Sequence, residues 1–146
     1  MRRPLGDGYE LDDDPDRVDR FAVHAFLVHF YWAEGRSREV SDEFVATAAR
    51  VAGLYRGDAL VGFARIVSDG HTVAYLADVY VLDEHRGQGF GLELVRFAVC
   101  EGPLAGVRKW LLHTRDAHGL YRKIGFDAPD ERFMERWDGM TPDDEG

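Results

Sequence analysis

The chain has 146 residues, of which 45% are apolar, 31% charged and 12% aromatic, which suits one packed domain spanning 1–146 and is too apolar for a disordered chain. A formal net charge of −9 excludes a broad cationic footprint for nucleic acid; it suits a cationic substrate, although acidic charge also serves solubility. No apolar run approaches the roughly 18 residues of a membrane span, residues 1–8 lack a signal-peptide core, and the single Cys100 cannot close an internal disulfide, so no membrane association and a cytoplasmic location are expected.

Residues 1–8 and 141–146 are polar and are expected to fray. Residues 9–11 suit a short strand, and Asp12, Asp13 and Asp14 before Pro15 suit the cap and first turn of a helix. Val18, Phe21, Ala22, Ala25 and Val28 then recur at helical spacing. Residues 31–37 break that pattern at Gly35 and predict a loop, with Ser41 opening a second helix that runs to about Ala49. Residues 51–56, 60–68 and 72–81 read as strands joined at Gly57-Asp58 and Asp69-Gly70, an antiparallel meander. The period then changes to 3.6 over residues 89–101, and Gly102-Pro103 stops the helix. A strand at 110–113, a short helix at 117–124 and a last strand at 133–137 complete the order βααβββαβαβ, a mixed α/β sheet with helices on its faces.

The segment Arg86-Gly87-Gln88-Gly89-Phe90-Gly91 falls between the strand ending at Val81 and the following helix. Glycines there let the backbone approach a ligand, while the unpaired N–H groups of the first helical turn, the helix dipole and Arg86 all favour an anion such as a pyrophosphate. A dinucleotide fingerprint would need glycine where Leu92 stands, and the Gly-Lys-Ser/Thr of a nucleotide-triphosphate loop is absent.

Arg86, Gly89 and Gly91 after the strand Ala77-Asp78-Val79-Tyr80-Val81, with Ala117, Tyr121, Gly125 and Phe126 further on, resemble the two signatures of the GNAT superfamily of N-acetyltransferases. The resemblance implies an α/β (α+β) fold: a mostly antiparallel sheet of about six or seven strands, with about four helices on its faces, splayed between its fourth and fifth strands. It also implies acetyl-coenzyme A as cosubstrate, its pantetheine arm bonded by the backbone of Val79, Tyr80 and Val81 and its pyrophosphate held by Arg86, Gly87, Gln88, Gly89, Phe90 and Gly91. Thr114 stands where many members of the superfamily have an asparagine that contacts the cofactor.

Acyl transfer from a thioester to an amine needs a neutral amine, stabilisation of developing negative charge, and a proton for the departing thiolate. Tyr121 is the candidate acid, and Glu34, ahead of Asp78, the candidate base. Tyr31, Trp32 and Arg36 are the candidate acceptor-pocket residues, with Arg36 pairing a substrate carboxylate. The six histidines do not cluster at metal-ligand spacing and no metal is implied; Cys100, expected to be a small buried hydrophobe, has no evident histidine partner, which favours direct transfer in a ternary complex. The acceptor expected is a primary amine of a small molecule or protein, with a homodimer left open; a noncatalytic acyl-coenzyme A binding sensor or an interaction module of the same fold is the alternative.

Overall fold

The computed structural model describes residues 1–29 and 36–138. Six strands lie side by side in chain order: β1 (Arg2–Gly6), β2 (Tyr9–Asp12), β3 (Arg50–Arg56), β4 (Ala59–Ser68), β5 (Val73–Val81) and β6 (Lys109–Leu112). The first five pair antiparallel and β6 joins β5 in parallel, a connection that needs a crossover and receives it from α3 (Phe90–Cys100). α1 (Arg20–Leu27) and α2 (Arg38–Thr47) cover the other face, and α4 (His118–Arg122) follows β6.

Each face of the sheet has its own core. Leu94, Val95, Phe97 and Ala98 of α3 pack on Leu54, Ala64, Ile66 and Leu76. On the opposite face Val23, Leu27 and Val45 pack on Val51, Phe63 and Tyr80. The last turn of α3 is fixed from the sheet side by Arg50, whose Nη1 donates to the carbonyls of Phe97, Ala98 and Glu101 at 2.8, 3.0 and 2.7 Å. Those are the acceptors that a helix C-terminus leaves unpaired, and Asp13 balances the buried guanidinium at 3.1 Å. Gly102 completes the arrangement: its φ is +80°, and a Cβ there would sit 2.8 Å from Arg50 Nη2.

Several expectations require correction. Residues 2–6 are not frayed: they form β1, turned onto β2 by Asp7 and Gly8, both at positive φ as a tight hairpin requires. The second helix begins at Arg38 rather than Ser41, because Ser37 caps it by accepting from Val40 N at 3.1 Å, and Ser41 is a buried interior residue. Phe21 stands 68% exposed on α1 and takes no part in its apolar face. Residues 133–137 form no strand, and Cys100 is exposed. Residues 141–146 lie outside the described residues.

Candidate functional site

Two bulges shape the strand pair at the middle of the molecule. On β4, Val61 is the extra residue between the Tyr55↔Leu60 and Leu54↔Gly62 pairs. On β5, Phe63 opposes Tyr80 and Arg65 opposes Ala77, so Asp78 and Val79 together face Ala64. Asp78 makes this possible by adopting φ +54°, unusual for a residue with a side chain. Because side chains alternate along a strand, the extra residue swaps faces: Leu76 points to the α3 core, whereas Tyr80, four residues on, points to α1 and α2. Val79 and Val81 thereby join the α3 side, the side on which Tyr121 is packed.

β5 and β6 pair only from Val73↔Lys109 to Leu76↔Leu112. β6 ends at Leu112, opposite Leu76, so among the described residues Val79–Val81 have no strand partner on that side, which fits the splay expected between the strands at 72–81 and 110–113. Such an edge exposes backbone donors and acceptors to a ligand that lies along it.

At the end of β5 the chain makes a 3-10 turn (Asp83–His85), passes through Arg86–Gly89 and enters α3. Gly87 and Gly89 have φ of +82° and +83°, and nothing lies within 4 Å of where a Cβ on either would stand. Among the described residues no side chain caps α3, so its first N–H groups are left to another acceptor. The turn is anchored from behind: Phe90 packs on Tyr9 at 4.2 Å between centroids, and Tyr9 Oη hydrogen-bonds His85 Nδ1 at 2.7 Å. Arg86 Nε donates to Val81 O at 2.8 Å and its Nη1 reaches Asp83 at 2.8 Å, which folds this exposed side chain over the turn. Gln88 is exposed, and Gly91 faces α4, with Leu120 Cδ1 3.5 Å from a Cβ position. Glycine backbone and an uncapped helix start, with the Asp83-paired Arg86 alongside, make a cradle whose free N–H groups suit an anion.

Tyr121 sits on α4, buried in the α3-side core, and edge-on to Phe126 at 5.9 Å. Burial above all, and the charge of Asp116 second, push its phenol up to about 12. Thr114 takes a structural part here: its Oγ1 accepts from Ala117 N at 3.0 Å and so fixes the entry to α4. A cavity of about 640 Å³ opens beside Tyr121, lined among others by Trp110, Leu112, His118 and Phe126. It touches neither Val79–Val81 nor the Arg86–Gly91 turn, and is therefore a space between β6, α4 and the C-terminal segment rather than the cradle itself. At its rim Tyr75 Oη and His113 Nδ1 share a hydrogen bond of 2.5 Å, and His113 Nε2 meets Glu135 at 3.1 Å.

Asp78 is not an open base. Its side chain is 5% exposed, and its Oδ2 accepts from Arg65 Nε at 2.7 Å and from Arg36 Nη1 at 3.4 Å. Arg36 thus pairs with an internal carboxylate, and His24 Nε2 contacts its carbonyl at 2.9 Å. Phe44 of α2 lies 4.9 Å from both guanidinium carbons. Arg65 and Phe44 are not among the expected site residues; their signal is a lone arginine inside the apolar run of residues 60–68, one hairpin away from the lone aspartate in residues 72–81. Glu34, Tyr31 and Trp32 lie outside the described residues. Among the described residues no group of three or more histidine, cysteine, aspartate or glutamate side chains is placed to hold a metal, and no helix is long and apolar enough to cross a membrane.

Residues 10–126 match the acetyltransferase (GNAT) family. A crystal structure of a provisionally assigned GNAT-family acetyltransferase from Xanthomonas campestris pv. campestris is 33% identical, covers 89% of this chain and 93% of its own, and superposes with a TM-score of 0.83. A provisionally named acetyltransferase of Gibberella zeae is 39% identical over 66 residues, a stretch that covers 43% of this chain but only 36% of the fungal protein's length. A Deinococcus radiodurans R1 structure, also provisionally an acetyltransferase, shares the fold at 22% identity, with a TM-score of 0.69 over 93% of this chain and 94% of its own.

Proposed function

The chain belongs to the acetyltransferase (GNAT) family, and on that premise we propose that it binds acetyl-coenzyme A and passes the acetyl group directly to a primary amine. Supporting this above all is the continuity of the splayed edge Val79–Val81 with the uncapped, glycine-lined start of α3. The two features suit the two ends of one elongated ligand: an amide-bearing arm along the strand and a diphosphate on the helix N-terminus, with Arg86 beside it. When bound, acetyl-coenzyme A supplies an activated acetyl thioester.

The chain's own groups have distinct tasks. Tyr121 keeps its proton throughout the neutral range, since burial disfavours the phenolate, and so serves as the acid for a departing thiolate. Asp78 is held by two arginines and acts by fixing the bulge and aiming those guanidiniums. Glu34 is the proposed base, drawing an ammonium in and accepting its proton, with its sequence neighbours Tyr31 and Trp32 proposed to contact the acceptor. The protein is proposed to act in the cytoplasm.

Incubation with acetyl-coenzyme A and a panel of primary amines, with free thiol followed over time, tests this reading. Amine-dependent thiol release is expected. Tight coenzyme A binding with no turnover on any amine would instead mark a noncatalytic binding module.

A further inference from the structure

The cluster around Asp78 carries unequal charge. Two guanidiniums, Arg65 at 2.7 Å and Arg36 at 3.4 Å, converge on one carboxylate oxygen, and among the described residues no other carboxylate lies within ion-pair distance of either. Their side chains are 12% and 16% exposed, so both have given up most of their water. A guanidinium deprived of water is costly to leave uncompensated, and one aspartate neutralises only one of the two. Among the described residues the result is a local excess of one positive charge, in a chain whose net charge is −9.

Geometry sharpens the point. Asp78 engages Arg65 through Nε and Arg36 through Nη1, and each guanidinium carries five N–H donors, so among the described residues the Asp78 carboxylate takes up only part of the donor capacity of either. Phe44 lies against both planes at 4.9 Å, which restricts their orientation without supplying negative charge. The cluster stands on the α1 and α2 face of the bulge, directly before Val79–Val81 in β5. At about 3.3 Å per strand residue, Asp78 is roughly 10 Å from Val81 and on the side away from the diphosphate cradle, where the reacting end of an arm laid along β5 would point.

The geometry points to a binding site for a carboxylate on the acceptor: Arg65 and Arg36, braced by Asp78 and Phe44, select small primary amines that also carry a carboxylate. This rests on the acetyl-transfer reading and narrows its substrate class. Arg65 and Arg36 are then specificity residues, and Asp78 a positioning residue.

The test offers the wild-type protein a series of primary amines, each as free carboxylate, carboxamide and methyl ester, with acetyl-coenzyme A and thiol release as readout. The carboxylate forms are expected to have a kcat/KM about tenfold or more above their amides, mostly through KM, as charge-assisted paired hydrogen bonds would give. Glutarate, which has no amine, is expected to compete with the amine and not with acetyl-coenzyme A. In Arg65→Gln and Arg36→Gln the carboxylate-to-amide ratio should fall toward one. Equal kcat/KM for carboxylate and amide in the wild-type protein overturns the site, and that comparison needs no variant to fold. A ratio unchanged in both variants also overturns it. Absence of thiol release with every amine defeats the acetyl-transfer reading itself, whereas turnover of amides and carboxylates alike defeats only the carboxylate site.

Discussion

Arg65 of β4 and Asp78 of β5 are joined across the bulge by a 2.7 Å hydrogen bond between Nε and Oδ2, so the one non-glycine residue of β5 with a positive φ is held by the strand it bulges away from. The conformation and the charge pair support each other. Asp78→Asn keeps a side chain that tolerates the left-handed region but discards the charge, leaving Arg65 and Arg36 without a counterion. It should lower unfolding free energy by about 1–3 kcal/mol in urea titration. Asp78→Val adds backbone strain to the same loss and should be worse by roughly a further 1–2 kcal/mol. Equal stabilities for the two variants would show that the strained φ contributes nothing.

Arg50 supports α3 from its far end. With five hydrogen-bonded partners and 3% side-chain exposure, Arg50→Met should cost about 3–5 kcal/mol, because Asp13, Met1 Sδ and three helix-terminal carbonyls lose their donor together. Gly102→Ala should reproduce part of that loss by pressing a methyl group onto the guanidinium. Since neither residue touches the cradle, coenzyme A affinity under native conditions should stay within about twofold of wild type, by calorimetric titration.

Three buried tyrosines set the alkaline limit. Burial raises Tyr55 and Tyr121 to about 12, and raises Tyr80 as well. In the unfolded chain these phenols ionise near 10, so above that pH the unfolded state sheds protons that the folded state retains. Their contribution is therefore complete below about pH 10 and is lost as pH climbs toward 12. Urea midpoints measured from pH 8 to 11.5 should be flat at first and then fall, and Tyr55→Phe should lessen the fall.

Tyr121→Phe removes the proposed acid while keeping the ring on Phe126. A kcat lower by about 10²-fold, with little change in acetyl-coenzyme A binding, is expected from thiol-release kinetics. Unchanged turnover with a good amine would remove Tyr121 from the chemistry.

Much of the fold was legible because period two gives way to 3.6 at the end of β5, and because Asp69-Gly70 marks a hairpin. Asp7-Gly8 is the same signal, yet β1 escaped notice: it is an edge strand whose alternate residues are only half-buried, so Arg2-Arg3-Pro4 reads as a polar tail. The strand expected at 133–137 had aromatic residues in its favour but does not form, and Glu135 instead meets His113. At the site, the glycine turn and Tyr121 stood out through local spacing. The partners of Arg36 and Thr114 did not: Asp78 is 42 positions from Arg36 and reaches it only after β5 has bulged, and the Thr114 cap needs the β6 to α4 turn to exist. Long-range ion pairs depend on topology, which residue spacing does not encode.

Calorimetric titration of coenzyme A into wild-type protein and into Gly89→Val tests the cradle at the start of α3 most directly. A side chain at Gly89 would occupy the open side of the turn and oppose its φ of +83°. The wild-type protein is expected to bind, and the folded variant to bind at least about tenfold more weakly. No binding to wild type, or equal affinity in a variant with native circular dichroism, would contradict the account.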